Sequence, residues 1–142
     1  MHRIATSIDI AAPPERVWSI LTDFPAHAGW NPFITAISGE LERGGRLSIT
    51  VNPPGGKGMT FKPKLLVVEP NRELRWLGRF LVPRLFDGEH YFILDPTPEG
   101  TRFTHGENFR GLFVRMMGAK GFEPIERGFH AMNQALKARA EG

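Results

Sequence analysis

Residues 86–109, which read FDGEHYFILDPTPEGTRFTHGENF, predict a β-hairpin and with it an antiparallel sheet. Apolar and polar residues alternate on both sides of a central turn rich in Pro and Gly, which is the pattern of half-buried strands. Closing the hairpin with the four-residue loop Thr97–Gly100 pairs Pro96 with Thr101. The two predicted strands are therefore 86–95 and 101–109.

This pairing also determines which side chains of the hairpin share a face. Even positions of the first strand and odd positions of the second lie on the buried side. Three pairs are predicted to lie opposite each other, namely Leu94 and Phe103, Phe92 and His105, and His90 and Glu107. Because an unpaired buried carboxylate is costly, we expect a neighbouring histidine to keep Glu107 charged and to be kept protonated in return.

Upstream of the hairpin, the sequence predicts five further strands and a short helical segment. Turns containing Gly or Pro separate the strands, which we place at 3–10, 33–40, 46–51, 59–69 and 73–80. After the first strand, a helix opens near Pro14 and ends before Pro25, and 26–29 forms a short turn or a second helix. Strand parity directs Leu65 and Val67 inward.

Downstream of the hairpin, residues 122–140 predict one long amphipathic helix. Its apolar residues are spaced by three and four: Phe122, Ile125, Phe129, Met132 and Leu136. The segment 110–121 is compatible with loop, helix or both. A seven-stranded antiparallel sheet buries one face, and a single helix cannot cover all of it. The sequence therefore predicts a cavity between sheet and helix, with a ligand to fill it.

The composition indicates one folded domain over residues 1–142. Of the 142 residues, 41% are hydrophobic and 23% are charged, which is typical of globular rather than disordered chains. The absence of cysteine excludes disulfide scaffolds, iron–sulfur clusters, thiolate zinc sites and cysteine nucleophiles. The N-terminus does not form a signal-peptide core, and no stretch approaches the ~18 apolar residues of a membrane span. We therefore expect a cytoplasmic protein without stable membrane insertion.

The net charge of +3 is modest, and some of the basic residues follow one pattern. Lys62, Lys64, Arg75 and Arg79 have the parity opposite to the inward residues of their strands, so we expect them on the outer face of the sheet. A solvated sheet face explains them, and a docking surface for an acidic protein or a membrane headgroup is the alternative. Nucleic-acid binding is not predicted, because surface aromatics and a recognition helix are missing.

Several stretches resemble one known superfamily. They are APPERVWSILTDFPA at 12–26, WNPF at 30–33, GEHYF at 88–92, TRFTHGENF at 101–109 and FHAMNQALK at 129–137. Together they resemble the SRPBCC (START-like, Bet v 1-like) superfamily, and within it the polyketide cyclase/dehydrase and lipid-transport branch. The resemblance implies an α+β helix-grip fold, in which a curved seven-stranded antiparallel sheet wraps around a long C-terminal helix, with one or two short helices after the first strand.

The superfamily includes hydrophobic-ligand carriers, aromatases and cyclases, oxygenase domains and chaperone activators, so the fold alone does not select a function. The predicted function is the binding or carriage of a small hydrophobic molecule, such as a lipid or polyketide, in the cavity. The predicted ligand-binding residues are Trp30, Phe33, Ile49, Phe61, Leu65, Trp76, His90, Phe92, Phe103, His105, Glu107, Phe129, Met132 and Asn133.

Two alternatives remain open at the level of sequence. One is a cyclase, dehydratase or isomerase, with His90 or His105 as general base and Glu107 tuning its pKa. The other is a protein-interaction module resembling the chaperone activators. Two histidines and a carboxylate also match the ligand set of a facial iron site, yet the predicted site includes no metal and no cofactor. The sequence predicts neither the ligand nor the oligomeric state.

Overall fold

The computed structural model describes residues 1–80 and 84–142, and its strands and helices follow the predicted order. The strands are β1 (His2–Ile10), β2 (Ile34–Gly39), β3 (Leu47–Val51), β4 (Met59–Phe61), β5 (Lys64–Glu69), β6 (Glu73–Phe80), β7 (Phe86–Thr97) and β8 (Gly100–Arg110). The helices are α1 (Pro14–Thr22), α2 (His27–Trp30), α3 (Leu112–Met117) and α4 (Glu123–Glu141). Short 3₁₀ turns, Phe24–Ala26 and Ala119–Phe122, precede α2 and α4.

The strands of the described ranges form two antiparallel sheets, not the single seven-stranded sheet that the sequence predicts. The larger sheet has the order β1-β8-β7-β6-β5 and the smaller one the order β2-β3-β4. The predicted strand 59–69 is divided at Lys62 and Pro63, so that β4 pairs with β3 and β5 pairs with β6. Proline has no N–H to donate to a strand ladder, which favours a break here. Within the break, the Pro63 carbonyl accepts a hydrogen bond from the backbone N–H of Leu47 on β3 (3.0 Å).

The β7–β8 hairpin has the predicted register. All three predicted pairs are confirmed: His90 with Glu107, Phe92 with His105, and Leu94 with Phe103. Both strands reach further into the turn than expected, to Thr97 and from Gly100, so the connection is shorter than the predicted loop. Gly100 has a φ of 155°, and a Cβ there would collide with the Ile10 carbonyl, so this turn requires glycine.

The strand β5 departs from the predicted parity. A β-bulge between Leu65 and Val67 shifts the pairing with β6, so that Val67 lies opposite Arg75 and Val68 lies opposite Leu74. Leu65 is buried as predicted. Downstream of the bulge, however, Val68 rather than Val67 packs against the core.

The long helix α4 packs against β1, α1 and β8 and closes the core. Phe129, Met132 and Leu136 on its inner face are fully buried, as is Phe103 on the sheet. Burial of apolar surface stabilises the fold by roughly 25 cal/mol per Å². Neither α4 nor any other helix in the described ranges combines the length and hydropathy that a bilayer-crossing helix needs.

The segment 110–121, which the sequence leaves open between loop and helix, forms α3 and a 3₁₀ turn. Only Val114 of α3 is buried. Four apolar side chains of α3 are at least 40% exposed: Leu112, Phe113, Met116 and Met117. Since α3 lies between β8 and α4 in the chain, this apolar surface forms where the sheet ends and the long helix begins.

The outer face of the larger sheet is less basic than the sequence predicts, because acidic neighbours pair with its arginines. Arg75 donates to Glu73 and Glu89, each at 2.8 Å. Arg79 lies 3.9 Å from Asp87. Within the described residues, the two predicted basic side chains that are exposed and form no ion pair are Lys62 and Lys64.

Candidate functional site

A cavity of about 410 Å³ lies where the two sheets, α3 and the first turn of α4 meet. Small-molecule sites typically fall between ~300 and ~1,000 Å³. The described residues that line it are Phe33, Ile34, Val51, Pro53, Met59, Phe61, Trp76, Phe86, His90, Glu107, Phe109, Phe113 and Ile125. All of these except His90 and Glu107 are apolar. The gap expected between sheet and helix is therefore present, at one end of their interface.

Five of the predicted ligand-binding residues line this cavity, namely Phe33, Phe61, Trp76, His90 and Glu107. Nine do not, and eight of these nine are core residues that are at most 2% exposed: Ile49, Leu65, Phe92, Phe103, His105, Phe129, Met132 and Asn133. The ninth, Trp30, is partly buried against the core. These nine residues therefore lie outside the cavity lining, because aromatic and aliphatic side chains fill the space under the middle of α4.

Eight lining residues were not among the predicted ligand-binding residues. Three of them, Val51, Phe109 and Ile125, lie on a strand or on α4; the other five are Ile34, Pro53, Met59, Phe86 and Phe113. Phe113 belongs to the segment 110–121, where apolar residues cluster without a period long enough to assign a face. The remaining four of these five lie at the start of a strand (Ile34, Met59 and Phe86) or in a loop (Pro53). In the sequence, the cluster of apolar residues in this segment was the signal that could have pointed to Phe113.

Phe33 reaches the cavity because a local hydrogen-bond motif turns the chain into β2. The side-chain oxygen of Asn31 accepts hydrogen bonds from the backbone N–H groups of Phe33 and Ile34, both at 2.9 Å. Such Asx motifs replace the missing ladder bonds of a turn. The Asn-Pro-Phe sequence after α2 thus directs an aromatic ring into the cavity wall.

Five polar side chains form a continuous hydrogen-bonded series that begins at the cavity and runs into the core. Glu107 Oε1 lies 3.0 Å from His90 Nδ1, and His90 Nε2 lies 2.8 Å from His105 Nε2. His105 Nδ1 lies 2.9 Å from Asn133 Oδ1. Asn133 Nδ2 donates to Thr6 Oγ1, and this hydroxyl donates to the His105 carbonyl, each at 2.8 Å. We call these five residues the polar network.

Burial favours the uncharged forms of the network. The Glu107 side chain is 13% exposed and that of His90 is 4% exposed. Desolvation raises the pKa of Glu107 to about 8 and lowers the pKa of His90 to about 3. Desolvation also lowers the pKa of His105 well below its ordinary value. The expected charged pair is therefore corrected to a carboxylic acid hydrogen-bonded to a neutral imidazole, because the apolar surroundings disfavour both charges.

Aromatic rings enclose both imidazoles of the network. The His90 ring stacks on Trp76, with centroids 4.9 Å apart, and the His105 ring stacks on Phe129, with centroids 4.0 Å apart. These rings exclude water from the faces of the imidazoles, which is the physical cause of the lowered pKa values. Only the end of the network at His90 and Glu107 reaches the cavity.

The geometry of the network bears on the metal hypothesis. His90 lies between His105 and Glu107 and uses one ring nitrogen on each of them. A metal site would need these donors to converge on one point instead. Across residues 1–80 and 84–142, no three potential ligands of the His, Cys, Asp and Glu types are grouped in this way. What the arrangement can do is hold one proton between a carboxyl group and an imidazole at the wall of an apolar cavity.

Comparison with known structures supports the fold. A di-domain ARO/CYC protein of the steffimycin biosynthetic pathway, StfQ, superposes with a TM-score of 0.77 at 13% identity, over 98% of this chain and 50% of that one. A Thermus thermophilus protein gives 0.76 at 17% identity, over 98% and 97% of the two chains. A Mesorhizobium loti protein gives 0.74 at 19% identity, over 96% and 95%. At these identities the likeness concerns the fold.

The family assignment comes from the sequence itself. A comparison with curated protein sequences gives no match. Residues 1–141, however, match the family described as polyketide cyclase / dehydrase and lipid transport. The match spans both sheets, the cavity and α4, and it agrees with the helix-grip architecture. The chain therefore belongs to the SRPBCC-type polyketide cyclase/dehydrase and lipid-transport family.

Proposed function

We propose that this protein binds a small apolar molecule in the cavity between its sheets, α3 and α4. The observation that carries the proposal is the cavity of about 410 Å³, whose lining is apolar except for His90 and Glu107. Apolar burial supplies affinity at roughly 25 cal/mol per Å², and a few polar groups orient the ligand. Lipids and polyketides, which the family description names, have apolar bodies of this kind.

The proposal is tested by filling the cavity. Ile125 lines it from α4, so Ile125→Trp should occupy the space that a ligand needs. Met116 on α3 is 72% exposed and is not among the lining residues, so Met116→Trp adds the same side chain outside the cavity. Naphthalene serves as the apolar probe, titrated by quenching of tryptophan fluorescence and by calorimetry.

We expect naphthalene to bind the wild type and Met116→Trp with similar affinity, and Ile125→Trp at least tenfold more weakly. Absence of naphthalene binding to the wild type, or equal binding by Ile125→Trp, would refute the proposal. Native mass spectrometry of the purified wild type supplies an independent readout, since a co-purified hydrophobic compound should be missing from Ile125→Trp.

The second candidate function is acid–base catalysis, and one observation favours it. Glu107 Oε1 and His90 Nδ1 lie 3.0 Å apart at the cavity wall, a distance at which a carboxyl group and an imidazole can exchange a proton. Both ring nitrogens of His90 are already hydrogen-bonded, and His105 is fully buried away from the cavity. Glu107, rather than either histidine, is therefore the group that can exchange a proton with a bound compound.

This second function is tested with 2-tetralone, a bicyclic ketone whose hydrogens beside the carbonyl exchange with solvent. Glu107 in its ionised form, which forms as the pH approaches its pKa of about 8, acts as the general base: it removes a proton to give the enolate, and deuterium from D₂O is returned. We expect the wild type to accelerate the exchange, measured by NMR, and Glu107→Gln to reduce it to the uncatalysed rate. Equal rates for the two proteins would leave binding alone as the function.

A further inference from the structure

The cavity-facing end of the polar network offers a single open polar atom. His90 and Glu107 are the polar residues of the lining, and both ring nitrogens of His90 are occupied. Glu107 Oε1 is bonded to His90, whereas Oε2 makes no hydrogen bond within the described residues. Oε2 lies over Gly88, where a Cβ would collide with it. The absence of a side chain at residue 88 leaves room for this carboxyl group.

Oε2 is also accessible. Within the described ranges, the fully buried side-chain nitrogen or oxygen atoms without a partner are Trp30 Nε1 and Asp87 Oδ1. Since Oε2 has no partner and is not one of these two, it is not sealed in the protein. A ligand in the cavity can therefore reach it, and its hydrogen-bonding character determines which polar group of a ligand fits.

Whether Glu107 Oε2 donates or accepts follows from the far end of the network, where the hydrogen-bonding role of one group is fixed. The backbone carbonyl of His105 can only accept, so the Thr6 hydroxyl must donate its one proton to it. Thr6 Oγ1 then has only acceptor capacity left for Asn133. This places the Asn133 amide nitrogen toward Thr6 and its oxygen, Oδ1, toward His105. Since Oδ1 can only accept, His105 Nδ1 carries a proton.

The donor and acceptor roles at His105 then fix those at His90. His105 is fully buried, and neither of its ring partners, Asn133 and His90, is a carboxylate. A second proton on His105 would create an uncompensated buried charge, so its Nε2 is an acceptor. His90 Nε2 must therefore donate to it. This leaves one proton between His90 Nδ1 and Glu107 Oε1.

Both possible positions of this last proton give Oε2 the same role. With the proton on Glu107 Oε1, Oε2 is the carbonyl oxygen of a carboxylic acid. With the proton on His90 Nδ1, Oε2 is a carboxylate oxygen. In either case Oε2 accepts hydrogen bonds and has none to donate.

We infer that the ligand of this cavity carries a hydrogen-bond donor, most simply a hydroxyl group on an apolar ring or chain, which donates to Glu107 Oε2. Ligands whose polar group can only accept, such as ethers and simple ketones, leave Oε2 facing another acceptor. The inference rests on the proposed binding function and adds the chemical class of the polar group. A net hydrogen bond is worth about 0.5–1.5 kcal/mol, or up to roughly tenfold in affinity.

The test compares naphthalene, 2-naphthol and 2-methoxynaphthalene, which share one apolar body, at pH 6. The affinity ratio of naphthol to its methyl ether is measured for the wild type, Glu107→Leu and Glu107→Gln. Each ratio cancels the affinity due to the rings, and comparison with Glu107→Leu cancels the intrinsic hydrophobicity of the two compounds. We expect the wild-type ratio to exceed that of Glu107→Leu by roughly three- to tenfold.

Glu107→Gln tests the direction of the network. His90 Nδ1 requires a donor, so the amide nitrogen of glutamine should point to it and the amide oxygen to the cavity. We therefore expect Glu107→Gln to favour naphthol over the ether, as the wild type does. This variant retains the size of the side chain, so it keeps the test usable if Glu107→Leu does not fold.

The outcomes separate the inference from the proposed function. If none of the three compounds binds the wild type, the proposed function fails. If all three bind but the naphthol ratio equals that of Glu107→Leu, the cavity binds apolar compounds and the inference about the donor is wrong. A preference of Glu107→Gln for the ether would show that the network runs in the opposite direction, which also overturns the inference.

Discussion

The space between the larger sheet and α4 has a packed half and a cavity half, and both are lined by similar residues. In the packed half, Phe103, Phe129 and Met132 are fully buried. In the cavity half, Phe33, Phe61, Trp76, Phe86 and Phe109 surround about 410 Å³ of space. Aromatic content therefore does not distinguish them. The difference is that the middle of α4 packs on the sheet, whereas α3 and the first turn of α4 close the other end.

The polar network joins these halves and shows what separates them physically. His105 lies in the packed half and is fully buried, whereas Glu107, two residues later on β8, lines the cavity. A buried polar group requires a partner in either half. In the packed half every residue of the polar network has a hydrogen-bond partner within the protein. In the cavity half, Glu107 Oε2 is left for a ligand. Four predictions, from the largest expected effect to the smallest, test this contrast.

The largest effect is expected from Phe129→Ala in the packed half. This ring is fully buried and stacks on His105, so its removal leaves a cavity and exposes the imidazole. We expect a loss of about 3–5 kcal/mol in unfolding free energy, measured by urea denaturation. A loss below about 1 kcal/mol would mean that this half is not close-packed, and the contrast would be wrong.

A smaller effect is expected when the network loses a member. Asn133→Leu keeps roughly the same volume but leaves His105 Nδ1 and Thr6 Oγ1 without their partner. An unsatisfied buried group costs about 1–3 kcal/mol, and we expect a loss of that size in urea denaturation. Gln134→Leu, at an exposed position of α4, serves as the control for leucine in this helix. Equal stability of both variants would contradict a structural role for the network.

The third prediction concerns pH. Burial raises the pKa of Glu107 from 4.5 to about 8, so between these values the folded protein keeps a proton that the unfolded chain releases. Stability from this group therefore falls as the pH rises through that window. Relative to Glu107→Gln, we expect the wild type to lose at most about 1.4 kcal/mol of unfolding free energy between pH 6 and pH 7, measured by urea denaturation.

His90 has the opposite sign of pH dependence, because its pKa is lowered to about 3. The stability that neutral His90 contributes is fully present above the ordinary histidine pKa and is lost as the pH falls below that value. Glu107→Gln retains His90, so the difference between the two proteins isolates the carboxyl group. A difference that does not change with pH would mean that Glu107 is ionised in the folded protein, as the sequence first suggested.

The smallest effect on stability is expected in the cavity half. Phe113 lines the cavity but is 40% exposed, so Phe113→Ala removes little packed surface. We expect a change within about 1 kcal/mol in urea denaturation, together with a measurable loss of naphthalene affinity. Val114→Ala on the same helix is the control, since Val114 is buried and should affect stability rather than binding. The reverse outcome would remove the distinction between the two halves.

Particular residues show how far sequence reasoning reached. The pairing of His90 with Glu107 was predicted correctly because strand alternation and a short turn fix the register locally. The direction of Val67 was wrong because a β-bulge adds one residue and reverses the parity beyond it. A bulge leaves no reliable mark in a run of Leu and Val. The break at Pro63 had a visible signal, since proline interrupts strand ladders.

The sequence by itself determined the order of elements, the hairpin register and the burial of three ionisable groups, because each depends on neighbours within a few residues or on a single period. The tertiary structure alone decided which half of the interface is filled, which residues line the cavity and which forms of Glu107 and His90 are favoured. These features depend on distances between elements far apart in the chain and on the desolvation that their packing produces.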